Sequence, residues 1–146
     1  KQDPVPGFDP SLYVTDRVWV PSRDGAVRIP VSVVYRKGFE KNGTAAMLQM
    51  GYGSYGASMD PSFNRSVISL LDRGMVYAIA HIRGGQEMGR AWYDGGKLLE
   101  KRNTFTDFID VTTALVEKGY AHPDRVAAVG GSAGGLLMGA ISNMAP

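Results

Sequence analysis

Three short apolar runs, each closing in a glycine-rich turn, constrain this chain more than any other feature. Ala45-Ala46-Met47-Leu48-Gln49-Met50 leads into Gly51-Tyr52-Gly53-Ser54-Tyr55-Gly56. Met75 to Ala80 leads into His81-Ile82-Arg83-Gly84-Gly85, and Arg125-Val126-Ala127-Ala128-Val129 into Gly130-Gly131-Ser132-Ala133-Gly134. Runs this short cannot make a helix and suit strands buried on both faces. Helical spacing fills the gaps between them. Phe63, Val67, Leu70 and Leu71 predict one helix, with Asp60-Pro61 as its start and Gly74 at its C-terminal cap. Phe105, Phe108, Ile109, Leu115 and Val116 mark one face of a longer helix, with Thr104-Phe105-Thr106-Asp107 as a capping box and Gly119 as a stop. An apolar helix follows from Leu136 onward. Strand and helix in alternation predict an α/β fold: a mostly parallel sheet covered by helices on both faces.

Upstream, residues 1–14 hold three prolines and no periodic pattern, and read as a linker or extended arm. Arg17 to Val20 and Val27 to Tyr35 are strand candidates joined through Ser22-Arg23-Asp24-Gly25, so a leading hairpin makes the sheet mixed. Pro30 lies within the second run, which predicts an edge strand or a bulge there. Residues 15–146 are expected to form the α/β unit.

Charge excludes some functions. Sixteen basic and 14 acidic side chains leave a net charge of +2, no electrostatic footprint for nucleic acid or for an anionic membrane. The longest apolar run falls far short of the roughly 20 residues of a membrane span. Cysteine is absent, which removes disulfide and thiolate chemistry. Lys1-Gln2-Asp3-Pro4 has no apolar signal core, and a cytoplasmic location is expected.

Gly130-Gly131-Ser132-Ala133-Gly134 fits G-x-S-x-G, the nucleophile elbow of α/β-hydrolases. A strand before it and a helix after it supply the context the motif needs. The serine must accept a strained backbone so that its hydroxyl projects above the sheet, and a Cβ at the flanking glycines would strike neighbouring chain. The Ala133 amide, at the helix start, faces the place where an oxyanion would develop. The other reading is a glycine turn that only packs or holds a phosphate. Gly51, Gly53 and Gly56 also satisfy the G-x-G-x-x-G of a dinucleotide loop. That reading lacks the acidic residue ending the next strand, where His81 stands instead.

Further motifs carry a family resemblance. Arg83-Gly84-Gly85-Gln86-Glu87-Met88-Gly89 with Trp92, Gly95-Gly96 and Lys97, together with Gly51-Tyr52-Gly53 and Gly130 to Gly135, resembles the prolyl oligopeptidase family of serine peptidases in order and spacing. The wording from Tyr52 to Ser58 and the Ser-Ala-Gly-Gly at 132–135 look most like its oligopeptidase B branch. Met50 departs from the Tyr common in related sequences, a packing change. The resemblance implies an α/β-hydrolase catalytic domain, of which residues 15–146 are the N-terminal part, under a β-propeller, cleaving short peptides after Arg or Lys. It implies Ser132 as nucleophile, with the Ala133 amide and the Tyr52 hydroxyl as the oxyanion hole. Asp60 is a candidate for binding basic substrate side chains as well as a helix cap. Arg83 and Glu87 are candidates for substrate or for a buried ion pair bracing their loop.

His81 reads as a satisfied, partly buried histidine and His122 as a turn residue. Neither is the triad base, because α/β-hydrolases place Asp and then His after the serine in chain order. No cofactor or metal is required. The implied triad Asp and His, and the strands carrying them, are expected from a second chain or segment, so these 146 residues alone are expected to be inactive on peptides. The alternatives are an esterase of the same fold and a non-catalytic α/β module that binds or assembles.

Overall fold

Five strands carry the chain in the computed structural model, which describes residues 4–146. β1 (Tyr13–Pro21) and β2 (Arg28–Arg36) form an antiparallel hairpin in continuous register from Tyr13 opposite Arg36 to Pro21 opposite Arg28. β3 (Met47–Met50), β4 (Val76–Ala80) and β5 (Val126–Val129) are the three apolar runs. Their order across the sheet is β1-β2-β4-β3-β5, with β2 antiparallel to β4 and the last three strands parallel. The helices are α1 (Arg65–Leu71), α2 (Arg90–Asp94), α3 (Lys101–Glu117) and α4 (Ala133–Met144). No helix among the described residues is long and apolar enough to cross a membrane.

Period-two alternation sends each strand's side chains to opposite faces. Ile29, Val31, Val33, Met47, Val76, Ala78 and Ala80 join Phe108, Val111 and Leu115 of α3 and Leu137 of α4 in the larger core. Tyr77 and Ile79 meet Val67 and Leu71 of α1 on the other face. Helices thus cover both faces. Burying a side chain such as Phe108 or Leu137 contributes about 1.5–3 kcal/mol each.

Several local expectations give way to tertiary contacts. Pro30 lies in the inner strand β2, not on an edge. Its carbonyl accepts from the His81 N–H, so its missing N–H points the same way, just beyond the β2–β4 ladder that begins at Val31 opposite Ala80. α1 is capped by Asn64, whose side chain accepts from Ser66 N, and not by Asp60; Phe63 stays outside the helix. The capping box at Thr104 does not form either, because α3 begins at Lys101 and Thr104 lies within its first turn. α4 starts at Ala133, earlier than the Leu136 expected.

The first three residues of the expected arm lie outside the described residues. The remainder folds back: Asp9 caps a short 3₁₀ turn at Pro10–Leu12, and the Phe8 ring packs on Tyr13 and Phe63 at 5.6 and 4.8 Å between centroids. β1 begins at Tyr13, ahead of the boundary expected at residue 15.

Candidate active site

The order in which successive strands join the sheet reverses around β3. The connection leaving β3 passes through α1 to β4 on one side, whereas β5, on the other side, feeds α4 on the opposite face. In open α/β sheets such a switch point leaves a crevice beyond the carboxyl ends of the strands. Here the turn after β3 carries Tyr52 and the turn after β5 carries Ser132.

Glycine lets these two turns meet. A Cβ on Gly130 would stand 2.5 Å from the Gly134 carbonyl oxygen, and a Cβ on Gly134 would stand 3.0 Å from the Gly51 oxygen. The first turn of α4 therefore nests against both the end of its own strand and the end of β3. The Tyr52 ring lies alongside, its Cδ2 3.6 Å from where a Gly134 side chain would begin.

Ser132 has φ 55° and ψ −118°, a left-handed conformation that costs a residue with a Cβ of order 1–3 kcal/mol. It occupies the N-cap position of α4, yet its side chain makes no capping hydrogen bond. A serine there ordinarily accepts a hydrogen bond from the helix N–H groups through its side-chain oxygen. The exposed hydroxyl is thus left free for chemistry. Ala133 is the first helical residue, so its N–H has no partner within α4. A free hydroxyl, an orphan amide and a neighbouring phenol are groups that acyl transfer can use.

Arg83 and Glu87 brace the surrounding loops. The Arg83 guanidinium reaches both Asp107 oxygens, Nε to Oδ2 at 2.8 Å and Nη2 to Oδ1 at 2.7 Å, and its backbone N–H adds a third bond at 3.1 Å. Its Nη1 donates to Asp24 at 2.9 Å, tying the β1–β2 turn to α3. Burial pushes the Asp107 carboxyl up against the pull of Arg83, while the same contact holds Arg83 above its ordinary value. Three converging hydrogen bonds identify the pair as ionised. The buried pair is thus Arg83 with Asp107, not Arg83 with Glu87. Glu87 accepts instead from the Met59 N–H at 3.1 Å and lies 3.7 Å from His81 Nδ1.

His81 is 2% exposed, more buried than expected, and only its Nε2 is bonded, to Ser32 Oγ at 2.7 Å. Nδ1 and Glu87 Oε2 have no partner, so the histidine is only half satisfied. His122 caps the 3₁₀ turn before β5, accepting from the Asp124 N–H. Asp60 is exposed in the loop ahead of α1. Among the described residues no three His, Asp or Glu side chains gather as metal ligands.

Two residues of α3 escape sequence reasoning. The Lys101 ammonium donates to the Gly53 carbonyl and to Ser54 Oγ, and the Thr104 hydroxyl meets the Arg83 carbonyl at 2.7 Å. Their spacing in the chain marks only a helix face. The partners are some 20 to 50 residues away, which no local pattern reveals.

Comparison with known proteins places these residues in context. The sequence profile of the prolyl oligopeptidase family matches residues 61–146. Dipeptidyl aminopeptidase BI of Pseudoxanthomonas mexicana is 72% identical over the whole chain, which covers 20% of that protein. Protease 2 of Moraxella lacunata is 48% identical over 97% of the chain and 21% of its own length. The structure of oligopeptidase B from Leishmania major superposes with a TM-score of 0.92 at 49% identity, over 97% of this chain and 20% of that one. The chain therefore spans about a fifth of the length of these curated relatives.

Proposed function

The chain belongs to the prolyl oligopeptidase family, and from that premise we propose that it is the portion of a serine peptidase carrying the nucleophile and the oxyanion hole. The sheet then corresponds to the N-terminal part of an α/β-hydrolase domain. One observation carries the assignment: Ser132 is held in a left-handed turn with its hydroxyl unspent, beside the free Ala133 amide.

Ser132 Oγ attacks the carbonyl carbon of the scissile peptide bond, and its proton passes to a base supplied by a further segment or chain. The carbonyl oxygen takes the negative charge and receives hydrogen bonds from the Ala133 N–H and the Tyr52 hydroxyl. The tetrahedral adduct expels the amine, which takes up the proton, and leaves an acyl ester on Ser132. Water then hydrolyses that ester through the same oxyanion contacts. Without Asp and His after Ser132 the hydroxyl is not activated, so these 146 residues alone retain only residual activity. Arg83 and Glu87 shape the site rather than touch substrate, since both are engaged with protein groups.

Peptides with Arg or Lys before the cleaved bond fit best. The likeness to oligopeptidase B and the exposed carboxylate of Asp60, in the loop that follows Tyr52, support this. The 72% identity with a dipeptidyl aminopeptidase favours a second reading, release of dipeptides from free N-termini. Incubating the intact protein with one Arg-containing peptide, N-blocked and unblocked, separates them. Cleavage of the blocked peptide after Arg supports the first. Cleavage of the unblocked peptide alone, two residues in, supports the second; ester turnover without peptide turnover overturns both.

A further inference from the structure

The cation that holds the Tyr52 turn has no carboxylate. Lys101, the first residue of α3, is half-buried and places its ammonium on the Gly53 carbonyl and on Ser54 Oγ at 2.7 Å. Both acceptors are neutral, and both belong to the residues that directly follow Tyr52. Burial pushes the ammonium below its ordinary value, with no opposing carboxylate to restore it. Stability alone gives little reason for a cation there. A buried charge on neutral partners recovers less of its lost hydration than an ion pair does, and an apolar side chain of similar length costs less.

The placement makes sense in relation to Tyr52. α3 is fixed to β3 just ahead of that residue, where Gln49 Nε2 donates to the Phe108 carbonyl at 3.1 Å and Thr112 Oγ1 donates to Gln49 Oε1 at 2.9 Å. Just behind it, Lys101 holds Gly53 and Ser54, with Thr104 Oγ1 3.4 Å from the same Gly53 oxygen. Gly53 itself is left-handed at φ 66°, a turn that any other residue would resist. The residue bearing the phenol is thus suspended between two attachments to one rigid helix. An oriented donor stabilises an oxyanion only if it need not reorganise when the charge appears.

We propose that Lys101 is a positioning residue for the oxyanion hole, fixing the turn that aims the Tyr52 hydroxyl at the reacting carbonyl. This rests on the reading of Tyr52 given above. Lys101 does not touch substrate; its effect passes through Tyr52, and it belongs in kcat rather than in KM.

A double-mutant cycle in the intact protein tests it, with an Arg-containing chromogenic amide as substrate. Tyr52→Phe is expected to lower kcat by about 10²–10³-fold, the usual loss for an oxyanion donor. Lys101→Met is expected to lower kcat by at least ~10-fold with KM changed less than ~2-fold, and to have under ~2-fold further effect in the Tyr52→Phe background. Ser54→Ala keeps the charge and removes one acceptor. It provides the same readout, a smaller kcat loss that vanishes with Tyr52→Phe, should Lys101→Met fold poorly. Equal losses in both backgrounds, or a change in KM alone, overturn the role of Lys101 while leaving Tyr52 in place. A silent Tyr52→Phe overturns the reading of Tyr52 and the proposal with it.

Discussion

Replacing Gly130 with alanine tests the elbow at its tightest point. The added Cβ would lie 2.5 Å from the Gly134 oxygen, 2.8 Å from its carbonyl carbon and 3.0 Å from its Cα. All three are backbone atoms of the first turn of α4, so no rotamer change relieves the contact. Strand and helix must part by several tenths of an ångström, and α4 is itself pressed on the Gly51 carbonyl. Overpacking of this kind costs about 1–3 kcal/mol, and a backbone contact belongs at the upper end. Misplacement of Ser132 by about 1 Å would add a loss on the order of 10²-fold in kcat. Gly131→Ala is the matched control one residue away, since nothing lies within 4 Å of its Cβ and its φ is not left-handed. Calorimetry and kcat/KM on both variants of the intact protein provide the comparison. The expected result is a lowered midpoint and a large activity loss for Gly130→Ala, with Gly131→Ala within about 0.5 kcal/mol of the parent. Two variants alike in both measurements would refute the steric reasoning.

Arg83→Met should cost about 3–5 kcal/mol by leaving Asp107 buried without its cation. Because burial already pushes that carboxyl up, its neutral form persists to higher pH in the folded variant than in the unfolded chain. The deficit should therefore narrow as pH falls toward 4 and widen above it, which urea titrations at several pH values will show. Leu98→Gly should be neutral or stabilising by up to about 1 kcal/mol, because Leu98 is 84% exposed and held at φ 49°; a clear drop in thermal midpoint would contradict this.

Legibility in the sequence followed the range of the interactions involved. The three parallel strands and the glycine stops at Gly74 and Gly119 are local signals, and the structure places them where period and propensity indicate. The strain at Ser132 was also legible, since G-x-S-x-G between strand and helix permits little else. What the sequence did not show is set by partners distant in the chain. Thr104 looks like an N-cap, but the helix starts a turn earlier, at Lys101, and the Thr104 hydroxyl donates to the distant Arg83 carbonyl. Pro30 looks like an edge residue, yet an inner strand accepts it because the neighbouring ladder ends one residue on. Arg83 and Glu87 are near enough in sequence to suggest a pair. Asp107 captures the arginine because α3 passes directly behind the β4 turn, a fact of topology rather than of spacing.

The most direct test of the central claim is to react the intact protein with an aryl phosphonate and map the adduct by mass spectrometry. An activated serine takes phosphorus at its Oγ as the aryl oxide leaves, and ordinary serines do not. The expected result is one adduct, on Ser132, abolished by Ser132→Ala together with peptidase activity. An inactivated protein in which Ser132 is unmodified, or full activity in Ser132→Ala, would contradict it.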